Sequence, residues 1–342
     1  MIRRLCVFLA VLALSGCAPL TAQQAATPTA GFSGAYLTSD RFVSFDSATL
    51  GLSTWLPKEE PWAVIVGLHG MNDYANAFHM AGPWWAEQGI ATYAYDQRGF
   101  GRSPNRGLWA DDEVLIEDLR TMVSVVRARH PNALIAVAGE SMGGAVALEA
   151  FASERPPEAD RLVLLAPAVW GWSSQPLPNK TLLWLAARVT GSKVYTPTSW
   201  LTSRIQASDN HEELIAMGRD PLMIWGARSD ALYHLVRCMD RGYRGVDRVR
   251  APTLYLYGAN DEIIPKAPSF DAANRLKPTD RTAYYRRGYH LLLRDKQAKA
   301  VWADVAGFLR DPAGPLASGA PRIPKQVEPR ERARVVAQGD GA

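Results

Sequence analysis

The apolar residues of this 342-residue chain fall into short, nearly continuous runs separated by longer amphipathic stretches. Runs at Phe42–Phe45, Leu52–Leu56, Ala63–Leu68, Ala91–Tyr95, Leu134–Ala138, Leu162–Ala166, Thr253–Tyr257 and Thr282–Tyr285 have the length of strands. The central ones are continuous rather than alternating, the pattern of strands covered on both faces. Between them, apolar positions recur at helical spacing over Ala77–Gln88, Asp112–Arg129, Met142–Ser153, Pro265–Leu276 and Lys296–Leu309. Strand–helix alternation of this kind predicts an α/β domain with a mostly parallel central sheet flanked by helices.

The rhythm breaks in one place. From Pro167 to Arg248 the chain is helical and irregular with no convincing strand, and holds Trp170, Trp172, Trp184, Trp200 and Trp225. An insertion of about 168–248 between two sheet strands reads as a helical lid. Its tryptophans fit an apolar pocket or a membrane-facing surface, and equally a small core of the lid's own. The regular pattern spans 41–311. Beyond Asp311 the chain is rich in Pro, Gly and Ala and mixes both charges, so 312–342 is expected to be disordered.

Composition narrows the picture. A hydrophobic content of 47% is enough for a sizeable core. The formal net charge is only +4 and the basic residues are dispersed, which argues against a nucleic-acid partner. The N-terminus differs from the rest: Arg3 and Arg4 precede an apolar Leu5–Leu14, followed by "LSGC" ending at Cys17. That apolar run is too short to cross a bilayer and reads as a signal peptide over 1–16, with 17–40 as a polar tether. The segment resembles the bacterial lipoprotein signal. That resemblance implies that Cys17 is lipidated and becomes the mature N-terminus, a membrane anchor in the bacterial cell envelope. Ala18 in place of Asp implies the outer membrane, facing the periplasm. Cys6 leaves with the signal, so Cys238 is the remaining thiol and the mature domain forms no internal disulfide.

Candidate chemistry centres on Gly139-Glu140-Ser141-Met142-Gly143, a G-x-S-x-G stretch between a strand pattern and a helix pattern. Those flanks are what a nucleophile elbow requires: the serine stands on a sharp turn, and the glycines clear the close strand–helix approach. Taken alone, the motif also fits a tight turn with a capping serine. A serine hydroxyl needs a base, and His290, after the strand at Thr282–Tyr285, is the best placed of six histidines. The base needs a carboxylate to fix its tautomer; Asp261 follows the strand at Thr253–Tyr257, with Glu262 as adjacent rival and Asp230 a weaker one. The order Ser141, Asp261, His290 is that of α/β-hydrolases. The His69-Gly70 strand end offers the Met71 backbone N–H, which with that of Met142 makes an oxyanion hole, each donor worth roughly 3 kcal/mol in the transition state.

With these pieces in place the chain resembles the α/β-hydrolase fold and, within it, the monoacylglycerol lipase-like (lysophospholipase-like) serine hydrolases. The matching segments are "GLHGMNDYANAF", "YAYDQRGFGRSP", "VAGESMGGAVAL", "LLAPAV", "PTLYLYGANDEIIP" and "GYHLLL", in family order. The resemblance implies a catalytic triad of Ser141, Asp261 and His290. It implies a serine esterase that cleaves single-chain lipid esters through an acyl-enzyme, as a monomer, with no metal or cofactor. An amidase, peptidase or thioesterase on the same triad is the alternative within enzymes; a lipoprotein with a vestigial site is the alternative outside them. Two departures stand out. Glu140 occupies a position where many monoacylglycerol lipases have His, and "MNDYANAF" replaces a Glu-His pair.

Overall fold

In the computed structural model, which describes residues 20–196 and 205–325, the continuous apolar runs become the centre of a nine-stranded sheet. Its strands are β1 (Tyr36–Leu37), β2 (Arg41–Val43), β3 (Thr49–Trp55), β4 (Ala63–Leu68), β5 (Ile90–Tyr95), β6 (Leu134–Glu140), β7 (Arg161–Leu165), β10 (Thr253–Gly258) and β11 (Arg281–Tyr285). The order is β1-β2-β3-β5-β4-β6-β7-β10-β11. From β5 to β11 every pairing is parallel, while β1, β2 and β3 form an antiparallel edge. The signal segment and Cys17 lie outside the described residues, as does Trp200.

Period-2 geometry explains the continuous runs. In β4, Val64, Val66 and Leu68 join one core, whereas Ala63 and Ile65 join another on the opposite face. The same split holds in β7, with Leu162 and Leu164 on one side and Val163 and Leu165 on the other. The first face is covered by α2 (Asp112–Arg129), α3 (Met142–Phe151), α6 (Ser229–Gly245) and α7 (Lys266–Asn274). The second is covered by α1 (Ala81–Glu87) and α8 (Ala298–Arg310), joined by the Trp85 Nε1–H donating to the Trp302 carbonyl at 3.0 Å. Each fully buried Leu, Val or Ile contributes roughly 1.5–3 kcal/mol, so both faces must be closed for the sheet to be stable.

Several boundaries differ from expectation. The helix predicted over Ala77–Gln88 starts as a 3-10 turn, Ala75–Phe78, and becomes α-helical only at Ala81. Pro83 forces this: lacking an N–H, it fits the first turn, where no intrahelical acceptor is needed. The tether is docked along the domain over its described part. The Gln23 N–H donates to the Trp109 carbonyl at 2.8 Å, and its side-chain amide donates to the Leu108 carbonyl at 2.6 Å. These are polar contacts to backbone, which no hydrophobic pattern announces. The expected disordered tail is also ordered as far as residue 325. The Tyr284 N–H donates to the Pro321 carbonyl at 2.8 Å, the Ile323 N–H donates to Thr282 Oγ1 at 3.0 Å, and Ile323 is buried. β11 is an edge strand with unpaired backbone groups, and a proline-rich segment supplies carbonyls without an idle N–H of its own.

The insertion contains α4 (Leu177–Val189), α5 (His211–Arg219) and α6, together with a two-residue ribbon, β8 (Val194–Tyr195) against β9 (Ala227–Arg228). The ribbon is too short to show alternation in sequence. α4 buries little more than Ala187, leaving Leu177, Leu182, Trp184 and Leu185 exposed.

Candidate active site

β6 carries the chain to Glu140, and α3 begins at Met142, so Ser141 alone makes the corner. Its φ of 52° and ψ of −114° are strained for a residue with a Cβ, at a cost of roughly 1–3 kcal/mol. The corner is held from β7: the Ser141 N–H donates to the Leu165 carbonyl at 3.0 Å, and the Ser141 carbonyl accepts from the Ala168 N–H at 2.9 Å. The glycines leave room for it. A Cβ on Gly139 would sit 2.5 Å from the Gly143 carbonyl oxygen, and one on Gly143 would sit 2.3 Å from that of Leu68.

The loop after β4 lies against this corner. A Cβ on Gly70 would be 3.3 Å from the Ser141 Cβ. His69 shapes the loop without offering a base: its Nδ1–H donates to the Gly70 carbonyl at 2.7 Å and its Nε2 accepts from the Gln97 N–H at 2.9 Å. Complete burial lowers its pKa and keeps the ring neutral. The Met142 amide is in the first turn of α3, where backbone N–H groups lack intrahelical acceptors. No hydrogen bond of the Met71 N–H is seen among the described residues. The loop and the helix start thus both lie beside the serine.

Asp261 and His290 come from the loops after β10 and β11. Asp261 Oδ1 accepts from the Ile263 and Ile264 N–H groups at 2.8 and 2.9 Å, which turns Oδ2 toward His290, whose Nδ1–H donates to it at 2.8 Å. Both side chains are buried, and this tautomer leaves Nε2 as the basic atom. Burial lowers the His290 pKa, but the charge and hydrogen bond of Asp261 together with the Glu140 charge outweigh it, and the net shift is upward. Because β6, β7, β10 and β11 are adjacent and parallel, the segments carrying Ser141, Asp261 and His290 all leave the same sheet edge.

The rivals sit elsewhere. Glu262 is exposed and accepts from the Gln206 N–H at 2.7 Å. Asp230 pairs with Arg228 at 2.6 Å at the start of α6. His79 faces Glu213 at 3.5 Å, and His130 bonds Tyr93 at 2.8 Å. The lid is tied to both site loops. The Ile224 N–H donates to the Asn72 carbonyl at 3.0 Å, and the His290 N–H donates to the Ala207 carbonyl at 3.1 Å.

Glu140, unexplained by sequence, ion-pairs with Arg294, which also pairs with Asp73. These partners lie too far apart in sequence for spacing to connect them. The available signal was an arginine within "HLLLRD", where apolar residues otherwise run. One cluster of metal-type donors occurs among the described residues: Asp112, Glu149 and Cys238 bring atoms within 4.8 Å of one another. Arg241 pairs with both carboxylates, at 3.2 and 3.0 Å, so a guanidinium already fills the cluster. Burial pushes Glu149 up to about 7 and the Cys238 thiol well above its ordinary value, leaving an unreactive thiol.

Residues 59–297 match the family model described as Hydrolase_4, serine aminopeptidase, S33. The chain is 26% identical over 281 residues to the monoacylglycerol lipase of Mycolicibacterium smegmatis, covering 78% of this chain and 95% of that one. Among solved structures it is similar to the Paleococcus ferrophilus monoacylglycerol lipase, with a TM-score of 0.63, 21% identity, and coverage of 76% and 98%. It is also similar to a soluble variant of the Saccharomyces cerevisiae monoglyceride lipase solved with a substrate analogue, with a TM-score of 0.67, 16% identity, and coverage of 80% and 96%. At these identities the two structures establish the α/β-hydrolase fold.

Proposed function

The chain belongs to the Hydrolase_4 family, and from that membership we propose a serine hydrolase that cleaves single-chain lipid esters, monoacylglycerols or lysophospholipids, through an acyl-enzyme. The observation that carries the reading is the buried Asp261–His290 hydrogen bond at the sheet edge where Ser141 stands. His290 Nε2 takes the Ser141 proton as Oγ attacks the ester carbonyl. The oxyanion is met by the Met71 and Met142 amides. The imidazolium then protonates the leaving alcohol, and water, deprotonated by His290, releases the acid. The chemistry uses side chains and backbone of this chain alone.

Two observations favour lipid esters over the peptides named in the family description. The relative from M. smegmatis is named for monoacylglycerol, and α4, within the lid, exposes a run of large apolar residues. A panel of monoacylglycerols, lysophospholipids and matched amides and thioesters tests the choice. Monoacylglycerol or lysophospholipid kcat/KM is expected to exceed that of the matched amide by at least about 100-fold, or roughly 2.7 kcal/mol in transition-state stabilisation. Preference for an aminopeptidase substrate replaces the ester reading. Failure of a fluorophosphonate to label the protein replaces it with a vestigial site.

The proposed address is the cell envelope, with a monomer held to the outer membrane through lipidated Cys17. Gln23, already bonded to the domain, is six residues beyond that cysteine, and six extended residues reach only about 20 Å. An anchor there holds the domain close to the lipid surface. Cys17→Ser is expected to move the protein from the membrane fraction to the soluble fraction, and unchanged membrane retention rules the anchor out.

A further inference from the structure

Arg294 lies in the same loop as His290 and is only 1% exposed. Its Nη2 donates to Glu140 Oε1 at 2.7 Å and ion-pairs with Asp73 Oδ2 at 2.8 Å. Its Nη1 lies 3.7 Å from Met217 Sδ on lid helix α5, and its carbonyl accepts from Asn210 Nδ2 at 2.9 Å. Glu140 immediately precedes Ser141, and Asp73 closes the loop that carries Met71. One guanidinium therefore touches the nucleophile turn and the amide loop from within the base loop. A planar, permanently charged fork of donors suits that place. Glu140 and Asp73 are themselves 1% and 4% exposed, and a buried carboxylate without a cation is costly, so both are held where Arg294 is.

Resting on the serine hydrolase reading above, we propose that Arg294 is a positioning residue: paired with Glu140 and Asp73, it fixes the Ser141 turn and the Met71 loop relative to His290 and sets the charge that His290 faces. His290 is faced by Asp261 from the loop after β10, by Glu140 from the end of β6 and by Arg294 from its own loop. Arg294 in turn faces Glu140, Asp73 and, from the lid, Glu213, with the His79 and neutral His69 rings in its field. Asp295, bonded to Ser208, also feels Glu140. Glu140 stabilises the imidazolium and Arg294 opposes it, so the two act on the base with opposite signs.

The experiment uses the full chain, a short soluble ester, and rates normalised to sites titrated by a fluorophosphonate. Glu140→Gln keeps the size and a hydrogen-bond acceptor but removes the anion. Its kcat is expected to fall by about 10-fold or more with KM within about threefold, as for a misplaced reacting group. The acid limb of its kcat/KM profile moves to lower pH, because Glu140 no longer offsets Arg294 and Asp261 alone stabilises the imidazolium. Arg294→Met also lowers kcat. The double variant, Glu140→Gln with Arg294→Met, loses less than the two single losses combined, because Glu140 and Arg294 then leave together and only Asp73 is left without its cation. A Glu140→Gln protein that titrates fully and keeps both normal turnover and the normal acid limb overturns the proposal, as does a rise in KM with kcat intact. Should Arg294→Met not fold, Glu140→Gln decides alone. Ser141→Ala that still hydrolyses the ester overturns the underlying reading. A requirement for Ser141 alongside a normal Glu140→Gln overturns only this one.

Discussion

Ser141→Ala is expected to abolish fluorophosphonate labelling and to lower kcat by about 10⁴–10⁶-fold, and His290→Ala is expected to cost nearly as much. The two losses should not add, because the nucleophile and its base act in one step: once Oγ is gone, Nε2 has no proton to take. KM should change little, since neither group is asked to hold the substrate. The folded protein should survive both changes. Ser141 sits in strained backbone that its neighbours hold through the Leu165 and Ala168 hydrogen bonds, which alanine keeps. The pH profile carries a second signature. His290 works as a base only when neutral, and its pKa is raised above the ordinary 6.5, so kcat/KM should fall as pH drops through a limb above that value. Linkage runs the other way. The Asp261–His290 pair contributes stability while the ring is protonated, fully below the unfolded pKa, and loses that contribution as pH rises through the folded one. Activity and this part of the stability therefore change in opposite directions across the same window. An acid limb below the ordinary imidazole value, or Ser141→Ala with more than a few per cent of wild-type turnover, contradicts the assignment.

Arg98→Met is expected to destabilise the fold by about 3–5 kcal/mol without touching the chemistry directly. Arg98 Nε and Nη2 donate to Asp118 at 2.7 and 2.8 Å, and Nη1 and Nη2 donate to Asp46 at 2.8 and 2.7 Å. The three side chains are 4%, 1% and 2% exposed. Removing the guanidinium strands two carboxylates in a place with little water, one bonded otherwise to Ser44 and the other to backbone N–H groups. A loss of that size is a large part of the roughly 5–15 kcal/mol that holds an ordinary domain together. Urea unfolding should show an earlier midpoint with an unchanged slope. Arg155→Met is the control: Arg155 also pairs with a carboxylate, Glu117, but is 71% exposed, and surface pairs of this kind contribute little. Equal midpoints for the two variants contradict the claim that burial makes the Arg98 cluster costly to break.

That cluster also shows why "YAYDQRGFGRSP" is recognisable in the sequence while its use is not. Asp96 accepts from the Ala75 N–H and pairs with Arg102, and Arg98 reaches back to Asp46 in the turn between β2 and β3. The motif is a folding device whose partners lie tens of residues away. The G-x-S-x-G stretch is different because its meaning is local. The glycine requirement follows from atoms within five residues and one neighbouring strand, so sequence alone carries it.

What the sequence determined by itself was whatever depends on near neighbours. Short continuous apolar runs placed the strands, 3.6-residue spacing placed the helices, and the chain order of Ser141, Asp261 and His290 named the triad candidates. Tertiary structure decided whatever depends on which distant segments meet. It selected Asp261 over Glu262 by turning one carboxylate inward and leaving the other exposed. It gave His69 a shaping role through Gln97. It docked the tether at Gln23 and bound the segment around Pro321 to the sheet edge. It brought Glu140, Asp73 and Arg294 together behind the nucleophile. Hydrophobic periodicity is written into each segment because burial acts on each residue separately, whereas a buried charge is explained only by its counter-ion, and the fold alone brings that counter-ion to it.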